Sequence, residues 1–309
     1  MSAEPVRLGF IGFGEAASRF AEDFSRAGIQ GIVAYSRSAA TAPADERLRK
    51  RAAEAGVELV ATPKEVCRRA SLIISLTPGS EALPALRKVR RYLTLNHIYV
   101  DASTSSVRDM ERAAQMLEGR AAFVDAAVMD PVPLNGIKVL TVISGSQAVA
   151  LRSMLEPYGM NLEVVGEKPG AASAMKLLRS VCMKGLAALL LEALEGAQRY
   201  GITDALVADM ARFIDGKPFE QVVKRFVCGT AIHAERRIHE TTESAALLRS
   251  LGASTRMTRS TRAMLQEILD MGLRERFDAR EPATIAPVLE AIIELKAAKR
   301  GVPGKPRTP

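Results

Sequence analysis

Short apolar runs recur through the first half of the chain and then cease, and this pattern limits the fold more than any other feature. Val6–Gly12, Ile32–Tyr35, Val57–Val60, Leu72–Leu76 and Ile98–Asp101 alternate with helix-permissive stretches such as Glu15–Ala27, Ala44–Ala55 and Ser106–Glu118. Ala121–Ala127, Val139–Ser144 and Leu162–Val165 continue the series, which stops at Gly166. Strands that are apolar throughout, separated by helices, predict a parallel sheet covered on both faces. Beyond Gly166 the pattern is helical. Ala171–Tyr200 contains no proline and predicts one helix of about 45 Å at 1.5 Å per residue; Asp204–Ile214, Phe219–Arg249, Thr258–Gly272 and Ala286–Lys299 predict more. The 309 residues therefore divide into an α/β domain over 1–166, an all-α domain over 167–300 and a Pro- and Gly-rich tail over 301–309, read as disordered.

The formal charge is +8, which raises nucleic acid or an anionic ligand as a partner. Its distribution argues for the ligand. Lys296, Lys299, Arg300, Lys305 and Arg307 lie near the C-terminus with no acid among residues 296–309, so the end of the chain carries +5 of the total. No zinc-finger, helix-turn-helix or aromatic-rich RNA motif accompanies the charge, so no nucleic-acid partner is expected. The start lacks a signal-peptide pattern and no apolar run approaches a membrane span, so no membrane association is expected. Cys67, Cys182 and Cys228 are dispersed and odd in number, which fits buried thiols in a reducing cytoplasm. With three histidines and no paired ligands at metal spacing, no metal site is predicted.

The strongest local signal is Gly9-Phe10-Ile11-Gly12-Phe13-Gly14-Glu15-Ala16-Ala17. It follows the first strand and opens a helix, as the Rossmann-type dinucleotide turn does. Gly12 permits the tight turn, Gly14 lets backbone approach a pyrophosphate, and the small Ala17 lets helix and strand pack closely. Gly12, Phe13, Gly14, Glu15 and Ala16 are the candidate cofactor contacts. The other reading is a plain strand–helix turn that needs small residues.

An absence selects the dinucleotide. A site that prefers NAD needs a carboxylate after the second strand to accept from the ribose hydroxyls, yet no Asp or Glu occurs between Asp23 and Asp45. That strand ends instead in Tyr35-Ser36-Arg37-Ser38. Arg37 offers a planar fork for a 2′-phosphate and the serines add hydroxyl donors, so NADP is expected, with NADPH preferred over NADH. Leu76-Thr77-Pro78 closes the fourth strand at the carboxyl edge, where ligands bind in open α/β sheets.

These residues resemble the β-hydroxyacid dehydrogenases, related to 3-hydroxyisobutyrate and 6-phosphogluconate dehydrogenases. Four blocks carry the likeness: Gly12–Ala17, Asp101-Ala102-Ser103-Thr104, Phe123–Val128, and Gly170 to Gly201 around Lys176. In the last, Gly170 precedes the lysine by six residues and Glu192-Ala193 follows about four turns later, as in the family. The details look most similar to a phosphogluconate-dehydrogenase-like branch with its own helical C-terminal domain. The resemblance implies hydride transfer between nicotinamide and a small β-hydroxy acid or sugar acid, with Lys176 as general acid and base. The chemistry is sound in itself. Oxidation of a secondary alcohol releases a hydroxyl proton and the reverse step needs one, and burial beside an oxidised nicotinamide lowers an amine's pKa toward the working range. Ser103 and Thr104 are expected to hold a substrate carboxylate, or to cap the following helix, or both.

The departures matter. Ser180 stands where the family has asparagine, with shorter reach for a substrate hydroxyl. Met183 stands where the 6-phosphogluconate enzymes carry the glutamate that serves decarboxylation. Met129-Asp130-Pro131-Val132-Pro133 replaces a Ser-Gly-Gly loop. Imine reductases of the same fold often carry an acid or a tyrosine at the lysine position, and Lys176 points away from them. In the helical half, His233, Arg236, Arg237 and Glu240 fall at one-face spacing. Arg236 and His239 are candidates for an acidic substrate, against the alternative of a solvated face. The long apolar helix is expected to be shared with a second subunit, giving a homodimer. Two other functions stay open: an oxidative decarboxylase using a different acid, and a non-catalytic dinucleotide-binding protein.

Overall fold

The computed structural model describes residues 5–37 and 46–299. Ser38 and the 301–309 tail lie outside the described residues. The chain separates into two compact units, Met1–Val181 and Cys182–Pro309.

The first unit is an eight-stranded sheet in the order β3-β2-β1-β4-β5-β6-β7-β8. Its strands are β1 (Leu8–Ile11), β2 (Val33–Tyr35), β3 (Glu58–Leu59), β4 (Leu72–Ser75), β5 (Ile98–Asp101), β6 (Ala122–Val128), β7 (Thr141–Ser144) and β8 (Leu162–Gly166). Connecting helices are α1 (Glu15–Arg26), α2 (Glu46–Glu54), α3 (Pro63–Arg69), α4 (Ala82–Val89), α5 (Val107–Leu117), α6 (Val132–Asn135) and α7 (Ala148–Leu155). Alternation along the strands sends residues to opposite faces. Leu8, Phe10, Ile74, Val100 and Val124 pack with Phe20 and Phe24 of α1 on one side. Ile11, Ile73, Tyr99 and Phe123 pack with Val66, Leu86 and Met110 on the other. The sheet is thus covered twice, as the apolar runs require.

The sheet departs from expectation in one respect. β7 is antiparallel to β6, and β8 follows β7, so the last two strands run against the other six. The link from Val128 to Thr141 holds only α6 and a 3-10 turn over Gly136–Lys138. A segment so short and rich in turn residues reverses the chain at the sheet edge instead of crossing over it.

The 30-residue helix α8 (Ala171–Tyr200) begins in the first unit and continues in the second. There it is followed by α9 (Thr203–Asp215), α10 (Phe219–Ser250), α11 (Arg256–Asp270), α12 (Leu273–Arg276) and α13 (Ala286–Lys299). Cys228, Ala231, Met271, Leu273, Val288 and Ala291 form this unit's core. Buried Glu192 of α8 caps α11: its carboxylate accepts from the Met257 and Thr258 amides at 2.9 and 2.8 Å and from the Ser254 and Thr258 hydroxyls at 3.0 and 2.6 Å. Helix α10 covers the helical stretch expected over Phe219–Arg249 but is not straight. It kinks at His233 (φ −113°, ψ 21°), and Arg274 donates to the Ile232 carbonyl there at 3.1 Å. Among the described residues no helix is long and apolar enough to cross a membrane.

Candidate active site

The carboxyl ends of β1, β2 and β4 enclose a cleft of about 400 Å³. Gly12 sits at its base with φ +85°, and a Cβ there would lie 2.5 Å from the Leu76 carbonyl oxygen and 2.8 Å from Thr77 Cγ2. Only glycine allows the β1 and β4 ends to approach this closely. Helix α1 then starts with Gly14 as N-cap and no capping side chain, and a Cβ on Gly14 would meet nothing within 4 Å. Backbone amides at an uncapped helix start, beside open space, suit a pyrophosphate. Ala17 is buried against the sheet, as close helix–strand packing requires.

Gly12, Phe13, Gly14, Ser36, Arg37, Leu76, Thr77 and Pro78 all line this cleft. Phe13 lines it from the core side, since it is buried edge-on to Phe10 with ring centroids 6.4 Å apart. Glu15 and Ala16 lie in the first turn of α1 and are not among the lining residues. Arg51 of α2 and Lys88 of α4 join Arg37 in the lining, and so does Glu81. Glu81 pairs with Arg37 at 3.1 Å. Arg51 and Lys88 come from helices distant in sequence from the glycine turn, so no local motif could have named them, whereas Glu81 follows the Leu76–Pro78 edge by three residues.

A second set of side chains follows from the end of β5. The Ser103 amide donates to Asp101 Oδ1 at 2.9 Å, forming an Asx turn. Ser103 Oγ accepts from the Thr77 amide at 3.2 Å and meets Thr77 Oγ1 at 3.0 Å. The lining of the cleft and the β5 loop are thereby joined. Thr104 has φ +51°, a left-handed conformation that is a genuine outlier for a β-branched residue and one that concentrates at functional sites. Its hydroxyl accepts from Lys176 Nζ of α8 at 2.9 Å. Ser103 and Thr104 do not cap α5. That role belongs to Ser106, whose hydroxyl accepts from the Asp109 amide at 3.1 Å.

Lys176 stands early in α8 because of Gly170. With φ +91°, and a would-be Cβ 3.0 Å from Val107 Cγ1 and 3.3 Å from Val107 O, this glycine permits a sharp entry from β8 into the helix. Ser180 lies half-buried one turn beyond Lys176. Arg179 reaches back to the loop after β6, donating to the Met129 carbonyl at 2.7 Å and to Asp130 at 3.2 Å. Thr77, Ser103, Thr104 and Lys176 therefore form one chain of contacts. Arg236 and His239 lie exposed on α10, in the second unit. Arg236 pairs with Glu240 at 3.5 Å, His233 with Glu281 at 3.4 Å, and Arg237 turns back to Thr230.

Sequence reasoning assigned no role to the buried carboxylates behind these loops. Asp101 is raised to about 6, first by burial and further by Asp125 beside it. Asp125 is also raised by burial, against hydrogen bonds from Ser173 and Ser144. An aspartate inside an apolar strand was the available signal. Among the described residues no cluster of three or more metal-ligating side chains occurs.

Residues 7–166 match the NAD binding domain of 6-phosphogluconate dehydrogenase, and residues 197–268 match a domain of unknown function (DUF1932). An uncharacterized 28.5 kDa protein of Methanothermus fervidus is 31% identical over 264 residues, 85% of this chain and 99% of that protein. A solved conserved protein of unknown function, described for its structural similarity with 3-hydroxyacid dehydrogenases, is 29% identical with a TM-score of 0.60, over 96% of this chain and 98% of its own. An imine reductase from Myxococcus stipitatus, solved with NAD+, shares the fold at a TM-score of 0.74 and 17% identity, over 94% of this chain and 99% of its own. A glycine cradle at the mouth of α1, a Rossmann-type sheet and a helical second unit are what such relatives should share, and the chain belongs to the 6-phosphogluconate-dehydrogenase-like family of dinucleotide-binding oxidoreductases.

Proposed function

We propose that this protein is an NADP(H)-dependent oxidoreductase acting on a small β-hydroxy or sugar acid, with Lys176 as the acid–base residue. The observation that carries the reading is the 2.9 Å hydrogen bond from Lys176 Nζ to Thr104 Oγ1. The amino group thus lies at the end of β5, against the loop joined to the cleft through Ser103 and Thr77. Bound nicotinamide supplies the hydride acceptor or donor. As the neutral amine Lys176 takes the substrate hydroxyl proton in oxidation, and as the ammonium it gives one to the carbonyl oxygen in reduction. Thr104, Ser103 and Ser180 orient the substrate's oxygens by hydrogen bonds. In its charged form Lys176 repels a cationic iminium, and this favours the hydroxy acid over the imine.

Arg37, Arg51, Lys88 and Ser36 favour the 2′-phosphate. Three cations outweigh Glu81 in the same cleft. Arg37→Ala is expected to weaken NADPH binding at least about tenfold, the loss of one charge-assisted contact, and NADH binding far less. Fluorescence titration with both nucleotides measures this, and equal losses would sink the NADP assignment. NADPH oxidation or NADP reduction across a panel of hydroxy acids, keto acids and imines then identifies the substrate class. Cys67 and Cys228 are buried free thiols as expected, but Cys182 of α8 is exposed; three free thiols suit a reducing compartment such as the cytoplasm.

A further inference from the structure

Four buried polar side chains lie in a row across the carboxyl end of the sheet. Ser75 of β4 is the register partner of Asp101, Asp101 of Asp125, and Asp125 of Ser144 in β7; all four are buried. Register partners on adjacent strands share a face. Two carboxylates buried side by side are costly unless donors reach them. For Asp125 the donors come from the first turn of α8. The Ser173 amide donates to Oδ2 at 2.9 Å and the Ser173 hydroxyl to Oδ1 at 2.7 Å. Ser144 Oγ donates to Asp125 at 3.3 Å and accepts from the Ala172 amide at 3.1 Å.

A helix start leaves its first amides without internal partners, and a Ser, Thr, Asp or Asn at the N-cap usually meets them. Helix α8 is preceded by Gly170, which has no side chain for this. Its second and third amides are met instead by Ser144 and Asp125, from two strands. Lys176 follows Ser173 by three residues and shares its face of the helix. The other partner of the lysine is held by the neighbouring carboxylate, since Asp101 fixes the amide of Ser103 just before Thr104. One buried row thus governs both ends of the Lys176–Thr104 hydrogen bond.

We propose that Asp125, acting through Ser173 and with Ser144, is the positioning group for Lys176: it anchors the first turn of α8 to the sheet so that the ammonium meets Thr104. The proposal rests on the reading of Lys176 as the proton-handling residue. Its test does not need the substrate.

The full-length chain is acylated with N-acetylsuccinimide across a pH series, and modification of Lys176 is timed by mass spectrometry against exposed Lys64. Wild type is compared with Asp125→Asn, Ser144→Ala and Ser173→Ala. Loosening the first turn is expected to raise the Lys176 to Lys64 ratio about fivefold in Asp125→Asn, the factor that loss of one helix cap produces, and to move the pH midpoint of Lys176 labelling. Should Asp125→Asn fail to fold, Ser173→Ala keeps the carboxylate, removes one bond and is expected to change the ratio in the same direction. A ratio and midpoint unchanged in every folded variant, with only the melting temperature lowered, would show a purely structural role and overturn the proposal. Nucleotide binding, read by NADPH fluorescence on the same samples, reports on the oxidoreductase reading alone. Its absence in wild type would reject that reading and leave the labelling ratio to decide this one.

Discussion

Two buried carboxylates in this chain titrate in opposite directions, and the hydrogen bonds around them say why. Burial alone would raise Glu192, but bonds from Thr258, Met257 and Ser254 outweigh it and hold the carboxyl at about 2. Asp101 receives fewer donors, and burial raises it to about 6. The folded chain therefore holds a proton on Asp101 more tightly than the unfolded chain does. That contribution to stability is full below the unfolded value of about 3.9 and is lost as pH rises through about 6. Wild type should lose melting temperature from pH 4 to pH 6 relative to Asp101→Asn, which carries no such proton; scanning calorimetry of both across this range checks it, and parallel curves would refute it. At this scale the sequence was only half legible. Gly12 and Lys176 stood out through motif spacing, and Arg37 through the missing carboxylate after the second strand. Arg51 and Lys88 did not, because only folding brings their helices to the cleft. Asp101 and Asp125 stand inside the family-like blocks Asp101–Thr104 and Phe123–Val128, yet their partners depend on strand register.

Elements were more legible than their couplings. Every strand run predicted from apolar continuity exists, with Ile98–Asp101 unchanged at both ends, because a strand buried on both faces tolerates nothing else. Helix α8 was readable from an unbroken stretch without proline. Short helices were harder. Helix α3 announces itself only by Thr62-Pro63 and Glu65, a capping box with proline in the first turn, and seven residues show too little periodicity to stand out. The reversal at β7 follows from its turn-rich link, and the kink in α10 meets a tertiary partner in Arg274. The entry to α8 supplies the prediction at this scale. Gly170→Ala would force a Cβ into a left-handed backbone against Val107, and should cost about 1–2 kcal/mol. Urea unfolding measures it, and a neutral result would mean that the turn relaxes freely.

For the whole molecule, the apolar surface is more informative than the charge. Leu178, Val181, Met183 and Leu191 of α8 are 55–74% exposed, and Phe219 and Phe226 of α10 are 66% and 53%. A helix apolar all round is normally a buried one, and large exposed apolar patches mark interaction sites. We propose that a second copy of the chain covers these helices. Sedimentation should give a dimer, and Leu191→Glu with Phe219→Glu should shift it toward monomer while nucleotide binding persists. A monomer in wild type would reject the pairing. The excess of basic residues at the end of the chain lies partly outside the described residues and bears on none of this.

The support of α8 by the sheet has a consequence for how the protein is made. Strands β6 and β7 leave the ribosome before residue 173 does, so for part of synthesis the side chain of Asp125 has no helix to receive. The nascent sheet then carries an acid in its interior that favours the protonated form. Emergence of the first turn of α8 supplies the missing donors. Since Lys176 belongs to the very next turn, completion of the first unit and the meeting of Lys176 with Thr104 fall at the same late point in biosynthesis.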